Sequence, residues 1–354
     1  MKERLDALRG ALAEEGIDAM LITRPENRFY LSGFTGSAGS LVVSPDRAWL
    51  LTDFRYVEQA EGEAPAFEIV KVKGPYPPAI GELCERFGLK RLGFEADIMT
   101  YSDYRAYSDA LPGELVPLKG VVERLRLVKD PAELARIRRA CEIVVEAWKR
   151  CLPALRAGVR EVDFALELEF TMRRLGASGL SFDTIVASGP RSALPHGTAS
   201  DRVMEEGDFV TVDTGCVFRG YCSDMTRTVV LGKPSAEQRR IYETVLRAQE
   251  AALAMVGPDR PAREVDLAAR RVIEEAGYGD RFGHRTGHGV GIAVHEGPAV
   301  YHEADDVLRP GMVITVEPGI YVPGLGGVRI EDTVVVTEEG YENLIDVNKG
   351  LLEL

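Results

Sequence analysis

Histidine is scarce in this 354-residue chain: there are five, and none occurs before position 196. Cysteine is equally sparse. The five cysteines (Cys84, Cys141, Cys151, Cys216 and Cys222) are odd in number and form no C-x-x-C pair, so neither a disulfide framework nor a thiolate zinc site is indicated. They read as buried free thiols in a reducing, cytoplasmic compartment. Positive charge is also in short supply. The net charge of −13 argues against nucleic acid or an anionic membrane surface as partner. No apolar run approaches the ~18 residues of a membrane span, and the charged stretch MKERLDALRGALAEEG lacks the apolar core of a secretory signal. Two enzyme signatures are missing as well. There is no H-E-x-x-H, which excludes a zincin, and no G-x-x-x-x-G-K-[ST], which makes GFTGSAG a hairpin turn rather than a phosphate loop. What remains is a soluble composition, 45% hydrophobic and 28% charged, in a chain long enough for two domains.

In the first third, helical and strand patterns alternate. A helix over 2–16 carries Leu5, Leu8 and Leu12 on one face and stops at Gly16. A buried strand IDAMLIT follows, then a hairpin from SGFTGSAGSLVVS into RAWLLTD. The strands FEIVKV, RLGFE and ELVPLK come next, with helices near 55–63, 80–87 and 101–110 between them. This pattern predicts an α/β domain over residues 1–122 with no chemistry of its own. A second domain is expected over 123–354. It opens on a long helix with Asp130 as N-cap, Pro131 as first residue and Glu133 closing a capping box.

The second domain repeats itself. REVDFALELEFTMRRLGA at 160–177 matches REVDLAARRVIEEAGYG at 263–279, an offset of 103, and FVTVDTG at 209–215 matches VITVEPG at 313–319, an offset of 104. Two copies of one α/β unit imply a pseudo-two-fold domain with a curved sheet flanked by helices. Within the first copy, GDFVTVDTGCVFRGYCSDMTRTVV reads as two strands, Phe209–Val217 and Tyr221–Val230, turning at Arg219–Gly220. That register sets Asp213 and Asp224 on one face, directly or diagonally opposite. Like charges so placed destabilise a sheet unless a cation lies between them, or unless one pairs with Arg219 or Arg227. The repeat aligns acid with acid: Asp213 with Glu317, and Asp224 approximately with Glu331. A chance salt bridge would not recur at the repeat offset. The second copy adds FGHRTGHGVGIAVHEGP, with His284, His288 and His295 among glycines, whereas His302 lies outside any pattern. Asp213, Asp224, His288, Glu317 and Glu331 make a hard, oxygen-rich set for two divalent ions such as Mn, Co or Zn. Shared carboxylates would hold such ions ~3.5–4 Å apart, as in two-metal hydrolases.

The ordered set TVDTG, SDMTRT, TGHGVG, TVEPGIY and GGVRIED resembles the dinuclear metallopeptidases of the pita-bread fold, and among them the Xaa-Pro peptidases, prolidase and aminopeptidase P. The N-terminal region likewise resembles the creatinase/prolidase N-terminal domain. The resemblance implies an α/β (α+β) protein whose catalytic domain is a pita-bread unit with a curved antiparallel sheet. It implies that Asp213 and Asp224 ligate one ion and His288 and Glu317 the other, with Asp224 and Glu331 bridging. Glu317 would also carry a proton to the leaving prolyl nitrogen. His196, in SALPHGT, matches the histidine that stabilises the tetrahedral intermediate, and His284 and His295 match those around the bound carbonyl. Tyr221 and Arg329 match supporting substrate-side residues. Manganese is the expected metal, and a homodimer is implied by the family. Creatinase shares the fold without metals, methionine aminopeptidase lacks the N-terminal domain, and non-catalytic relatives have lost ligands. The intact ligand set argues against the first and the last, and the N-terminal domain argues against methionine aminopeptidase, which shares the ligands. The short chain points to an Xaa-Pro dipeptidase, while GFTGSAG and TDFRYVEQA look closer to aminopeptidase P, which acts on longer peptides.

Overall fold

The computed structural model describes residues 1–354, which divide into two compact units, Met1–Arg126 and Leu127–Leu354. In the first unit the elements run α1 (Lys2–Glu15), β1 (Ala19–Ile22), α2 (Pro25–Ser32), β2 (Ser40–Val43), β3 (Ala48–Thr52), α3 (Val57–Glu63) and β4 (Glu68–Lys71). They continue with α4 (Tyr76–Phe87), β5 (Arg91–Glu95), α5 (Tyr101–Ala110), β6 (Glu114–Leu118) and α6 (Val121–Arg126). Six strands form one mixed sheet in the order β4-β3-β2-β1-β5-β6. The β2–β3 hairpin is antiparallel, whereas β1–β5, β5–β6 and β3–β4 are parallel pairs joined through helices. Leu5, Leu8 and Leu12 of α1 are buried, and Gly16 ends that helix in the left-handed conformation that costs glycine least. The sequence reading leaves Pro25–Ser32 without an element; there the chain forms α2, with Pro25 at its first turn.

The second unit opens on α7 (Pro131–Cys151). Asp130 caps it by accepting from Glu133 N–H, and the Glu133 side chain returns the bond, the reciprocal box that the sequence predicts. The first repeat copy continues with α8 (Glu161–Arg174), β7 (Gly179–Leu180), β8 (Ile185–Ser188), β9 (Phe209–Thr214), β10 (Cys216–Phe218), β11 (Tyr221–Cys222) and β12 (Met225–Val230). The second copy runs α9 (Ala236–Leu253), α10 (Ala262–Glu275), β13 (Gly287–Gly289), β14 (Glu296–Val300) and β15 (Val313–Val316). Strands β16 (Gly319–Val322), β17 (Gly326–Arg329), β18 (Asp332–Val336) and β19 (Tyr341–Asn343) complete it. Helices α9 and α10 pack over the apolar face of the second-copy strands through Ile241, Val245, Val265, Ala269, Ile314 and Val334, all fully buried.

The single curved sheet implied by the repeat is divided into shorter antiparallel ladders. One is β12-β9-β8 and another β14-β13-β15-β18-β19, with β11-β10-β7 and β16-β17 beside them. The predicted hairpin is likewise split: its arms break at Gly215 and at Ser223–Asp224, so its outer half joins a different ladder from its base. Its turn is where the sequence puts it. Arg219 and Gly220 both have positive φ, 49° and 82°, as a two-residue turn matched to strand twist requires. The two halves of the unit meet where Glu331 N–H donates to Thr226 O at 3.1 Å.

Candidate metal centre

Strand register brings the acids together. Asp213 pairs with Thr226 in the β9–β12 ladder, so Asp224, two residues before Thr226, lies diagonally across from Asp213. Glu317 follows β15, and Glu331 stands between β17 and β18. His288 sits at the centre of β13, and the glycines on both sides of it are a packing requirement. A Cβ on Gly287 would lie 2.0 Å from Thr315 O, and one on Gly289 would lie 2.0 Å from Gly297 O. The pattern G-H-G therefore lets β13 press against both of its neighbours with the imidazole as its one projecting side chain.

The resulting cavity, about 640 Å³, is lined by Asp213, Asp224, His288, Glu317 and Glu331 together with His196, His284, His295 and Arg329. Single ligand atoms of Asp224, His288 and Glu331 lie within 4.8 Å of one another. His288 Nε2 is 3.3 Å from Glu317 Oε1 and 3.6 Å from Asp224 Oδ2. Hydroxyls orient two of the acids: Thr226 donates to Glu331 Oε2 at 2.7 Å, and Thr315 donates to Glu317 Oε1 at 3.1 Å.

Burial pushes the Asp224 and Glu331 carboxyls well above their ordinary range, and neighbouring acids push them further in the same direction. Burial likewise raises Asp213 despite the guanidinium of Arg329 beside it. Burial also works against the Glu317 carboxylate, but its hydrogen bond and charge interaction with His288 outweigh this and hold it at about 2. Burial works against the His288 imidazolium too; the bond to Glu317 overcomes it and raises the ring above its usual value. The donors fit divalent cations. Asp213 Oδ1 is buried without a hydrogen-bond partner, and four acids, Asp213, Asp224, Glu317 and Glu331, crowd together with Arg329 and His288 beside them. An orphaned buried carboxylate oxygen facing like charges is what an oxygen-seeking cation satisfies.

Beside the acids, His284 Nε2 lies 2.8 Å from the Tyr321 hydroxyl, and Arg329 Nη1 is 2.9 Å from that same hydroxyl. Arg329 also donates to Asp213 Oδ2 at 2.7 Å and to Thr226 Oγ1 at 3.1 Å. The His288 and His295 rings meet edge to face, 4.3 Å between centroids. One expected residue is not brought here. Tyr221 is buried in β11 and is absent from the cavity wall; its hydroxyl donates to Glu133 Oε1 at 3.0 Å and its ring stacks beneath Arg136. The tyrosine joined to His284 and to Arg329 is Tyr321, which sequence reasoning passed over although it stands four residues after Glu317 in VITVEPGIY. Thr226 and Thr315, each two residues from an acid (Asp224 and Glu317), were likewise not singled out. His302, outside any motif, is half exposed and absent from the cavity wall.

Residues 135–338 match the model of metallopeptidase family M24, and residues 4–128 match the creatinase/prolidase N-terminal domain. A Xaa-Pro dipeptidase of Pyrococcus furiosus is 41% identical over 355 residues, covering 99% of this chain and 100% of that protein. The solved structure of a Xaa-Pro dipeptidase from Bacillus anthracis superposes with a TM-score of 0.98 at 47% identity, over 100% of this chain and 99% of that one. That of an X-Pro aminopeptidase from Thermotoga maritima gives 0.88 at 41% identity, over 96% and 98%. No helix of the structure is long and apolar enough to cross a membrane.

Proposed function

The chain belongs to metallopeptidase family M24, and from that footing we propose that it hydrolyses Xaa-Pro dipeptides with two divalent metal ions. The observation that carries this reading is the convergence of Asp213, Asp224, His288, Glu317 and Glu331 on one cavity, with the orphaned Asp213 Oδ1 among them. Asp213 and Asp224 would hold one ion and His288 and Glu317 the other, with Asp224 and Glu331 shared. Bound ions supply Lewis acidity toward the scissile carbonyl and lower the pKa of water.

The protein's own groups do the rest. An Xaa-Pro bond is a tertiary amide with no N–H, so the site cannot hold it through an ordinary backbone donor. The leaving prolyl nitrogen still requires a proton as the C–N bond breaks and a C–O bond forms. Glu317, which lines the cavity beside His288 with its Oε1 3.3 Å from His288 Nε2, is the carboxylate to carry that proton from the attacking water. His196 would steady the tetrahedral oxygen. His284, fixed by Tyr321, and His295, packed on His288, would position the carbonyl, and Arg329 would fix Asp213. Tyr321 takes the supporting place that the sequence assigned to Tyr221.

Manganese is the metal we assign, with cobalt and zinc as competitors. A homodimer and a cytoplasmic location complete the proposal, the latter supported by five buried cysteines, none of them in a disulfide. The test measures cleavage of Ala-Pro and of Ala-Pro-Xaa by metal-stripped protein and after adding Mn, Co or Zn. Metal-restored release of proline from Ala-Pro is expected. Cleavage of the longer peptide alone would move the assignment to an aminopeptidase, and no metal-dependent cleavage of either would end it.

A further inference from the structure

Each copy of the repeat also carries a fully buried carboxylate on a helix, outside the set that faces the cavity. Glu161 opens α8 and Asp266 lies in the second turn of α10; neither has any exposed surface. Their partners correspond. Glu161 Oε1 accepts the N–H and the hydroxyl of Ser188 at 2.8 and 2.7 Å, and its Oε2 accepts from Arg191. Asp266 Oδ1 accepts the N–H and the hydroxyl of Thr286 at 3.1 and 2.7 Å, and its Oδ2 accepts from Arg270 at 2.6 Å. In each copy, then, a helix acid grips a β-hydroxy residue through both of its donors and is neutralised by an arginine. The repeat alignment sets Glu161 opposite Glu264 and Asp163 opposite Asp266, so the two grips use acids two residues apart on equivalent helices.

What is held differs between the copies. Glu161 Oε2 also accepts the N–H and hydroxyl of Ser200, at 3.1 and 2.6 Å, and Arg191 Nη2 donates to Thr198 O at 2.8 Å. One carboxylate thus joins residues 188 and 200, the two ends of the segment that carries His196. In the other copy, Arg270 Nη2 donates to His284 O at 2.6 Å, and Thr286 O accepts from Glu317 N–H at 2.8 Å. Asp266 therefore fixes the backbone between His284 and His288 and, through Thr286, the backbone of Glu317.

We propose that Glu161 and Asp266 are paired positioning residues with separate duties: Glu161 sets His196, and Asp266 sets the metal-facing His288 and Glu317. This rests on the peptidase reading above. The separation of duties distinguishes it from general bracing of the fold, which would lower stability without sorting the kinetic and metal-binding effects.

The experiment compares wild type, Glu161→Gln and Asp266→Asn at a temperature where all remain folded. Mn affinity and stoichiometry are read by calorimetry, and kcat and KM for Ala-Pro are measured at saturating Mn. Asp266→Asn is expected to weaken Mn binding about 10–100-fold, the usual effect of losing a partner that orients a ligand. Glu161→Gln is expected to leave the Mn isotherm unchanged while kcat falls at least about tenfold. Thr286→Val removes the hydroxyl bond to Asp266, and Ser200→Ala removes the hydroxyl bond to Glu161 together with the one Ser200 Oγ accepts from Arg202 N–H at 3.2 Å; these stand in if a carboxylate variant does not fold and should show the same two patterns in milder form. Wild-type Mn affinity in the folded Asp266 and Thr286 variants would overturn the proposal, as would equal loss of Mn affinity in the Glu161 and Ser200 variants. The calorimetry needs no substrate. Wild-type protein that binds Mn but leaves Ala-Pro intact therefore refutes the peptidase reading separately, and the proposal falls with it.

Discussion

Asp332, directly after Glu331, is wholly buried, and four side chains converge on its carboxylate. Its Oδ1 accepts from Arg227 at 2.7 Å, and its Oδ2 accepts from Lys349 at 3.0 Å and from Gln249 and Asn343 at 2.9 Å each. Burial alone would raise this carboxyl; the charges of Arg227 and Lys349 prevail and hold it below the usual range. Arg227, also buried, donates through Nη1 to the carbonyls of Thr226 and Glu331 and through Nη2 to that of Val347, so the pair ties β12 to the start of β18, next to the cavity-lining Glu331. Asp332→Asn keeps the shape and removes the counter-charge. Breaking one side of a buried pair costs about 3–5 kcal/mol, because a buried charge is left uncompensated. The three carbonyls that remain around Arg227 place the expectation at the lower end, about 3 kcal/mol. At about 2–4 °C per kcal/mol for a unit of this size, Tm should fall by about 6–12 °C. Urea unfolding in EDTA, followed by circular dichroism, isolates the effect from metal binding. Adding Arg227→Met should cost far less than the sum of the single changes, since the orphaned charge is then gone, with a coupling of about 1–3 kcal/mol. A loss below about 1 kcal/mol for Asp332→Asn, or additivity within about 0.5 kcal/mol, would refute the argument.

Two further expectations concern the site. Glu317→Gln removes the proposed proton carrier and should lower kcat for Ala-Pro by about 10²–10⁴-fold; metal content measured alongside separates lost proton transfer from lost metal, and activity within about tenfold of wild type would rule the role out. The second is the pH dependence of the metal-free protein. Asp213, Asp224 and Glu331 hold protons more tightly folded than unfolded, so stability falls as pH rises above the unfolded carboxyl value of ~4. His288, raised above its usual value, adds to the same trend through neutrality; His284 and His295, lowered by burial, oppose it near neutrality but are outnumbered by the three raised acids and His288, and Glu317, at about 2, opposes it only below about pH 4.5. Thermal melts in EDTA should therefore give a lower Tm at pH 8 than at pH 6, and added Mn should raise Tm more at pH 8. A Tm that is flat or rises with pH would contradict the clustering of unneutralised acids.

The elements whose causes are local were legible in the chain. Asp130, Pro131 and Glu133 specify the start of α7 by hydrogen bonds that close within one turn, and Arg219–Gly220 specifies a hairpin turn by backbone conformation alone. The repeat, read as aligned acids, put Asp213, Asp224, Glu317 and Glu331 on one list before any coordinate was known, and the G-H-G pattern marked His288. What the chain could not show was which side chains meet once strands about a hundred residues apart are packed together. Tyr221 and Tyr321 both stand in apolar strands near the motifs; only packing turns one toward Glu133 and the other toward His284 and Arg329. The breaks at Gly215 and Ser223–Asp224 that split one hairpin between two ladders leave no periodic signal, since each arm alternates as a strand on either side of them. The same holds for Glu161 and Asp266, whose motif R-E-V-D occurs twice with the working acid in a different place each time. The sequence by itself determined the elements, the repeat and the chemical type of the site, because those follow from periodicity, capping and residue character. Which groups face each other, and which buried charges are neutralised by which partners, was decided only by the tertiary structure, since those distances are set by packing between segments that share no local code.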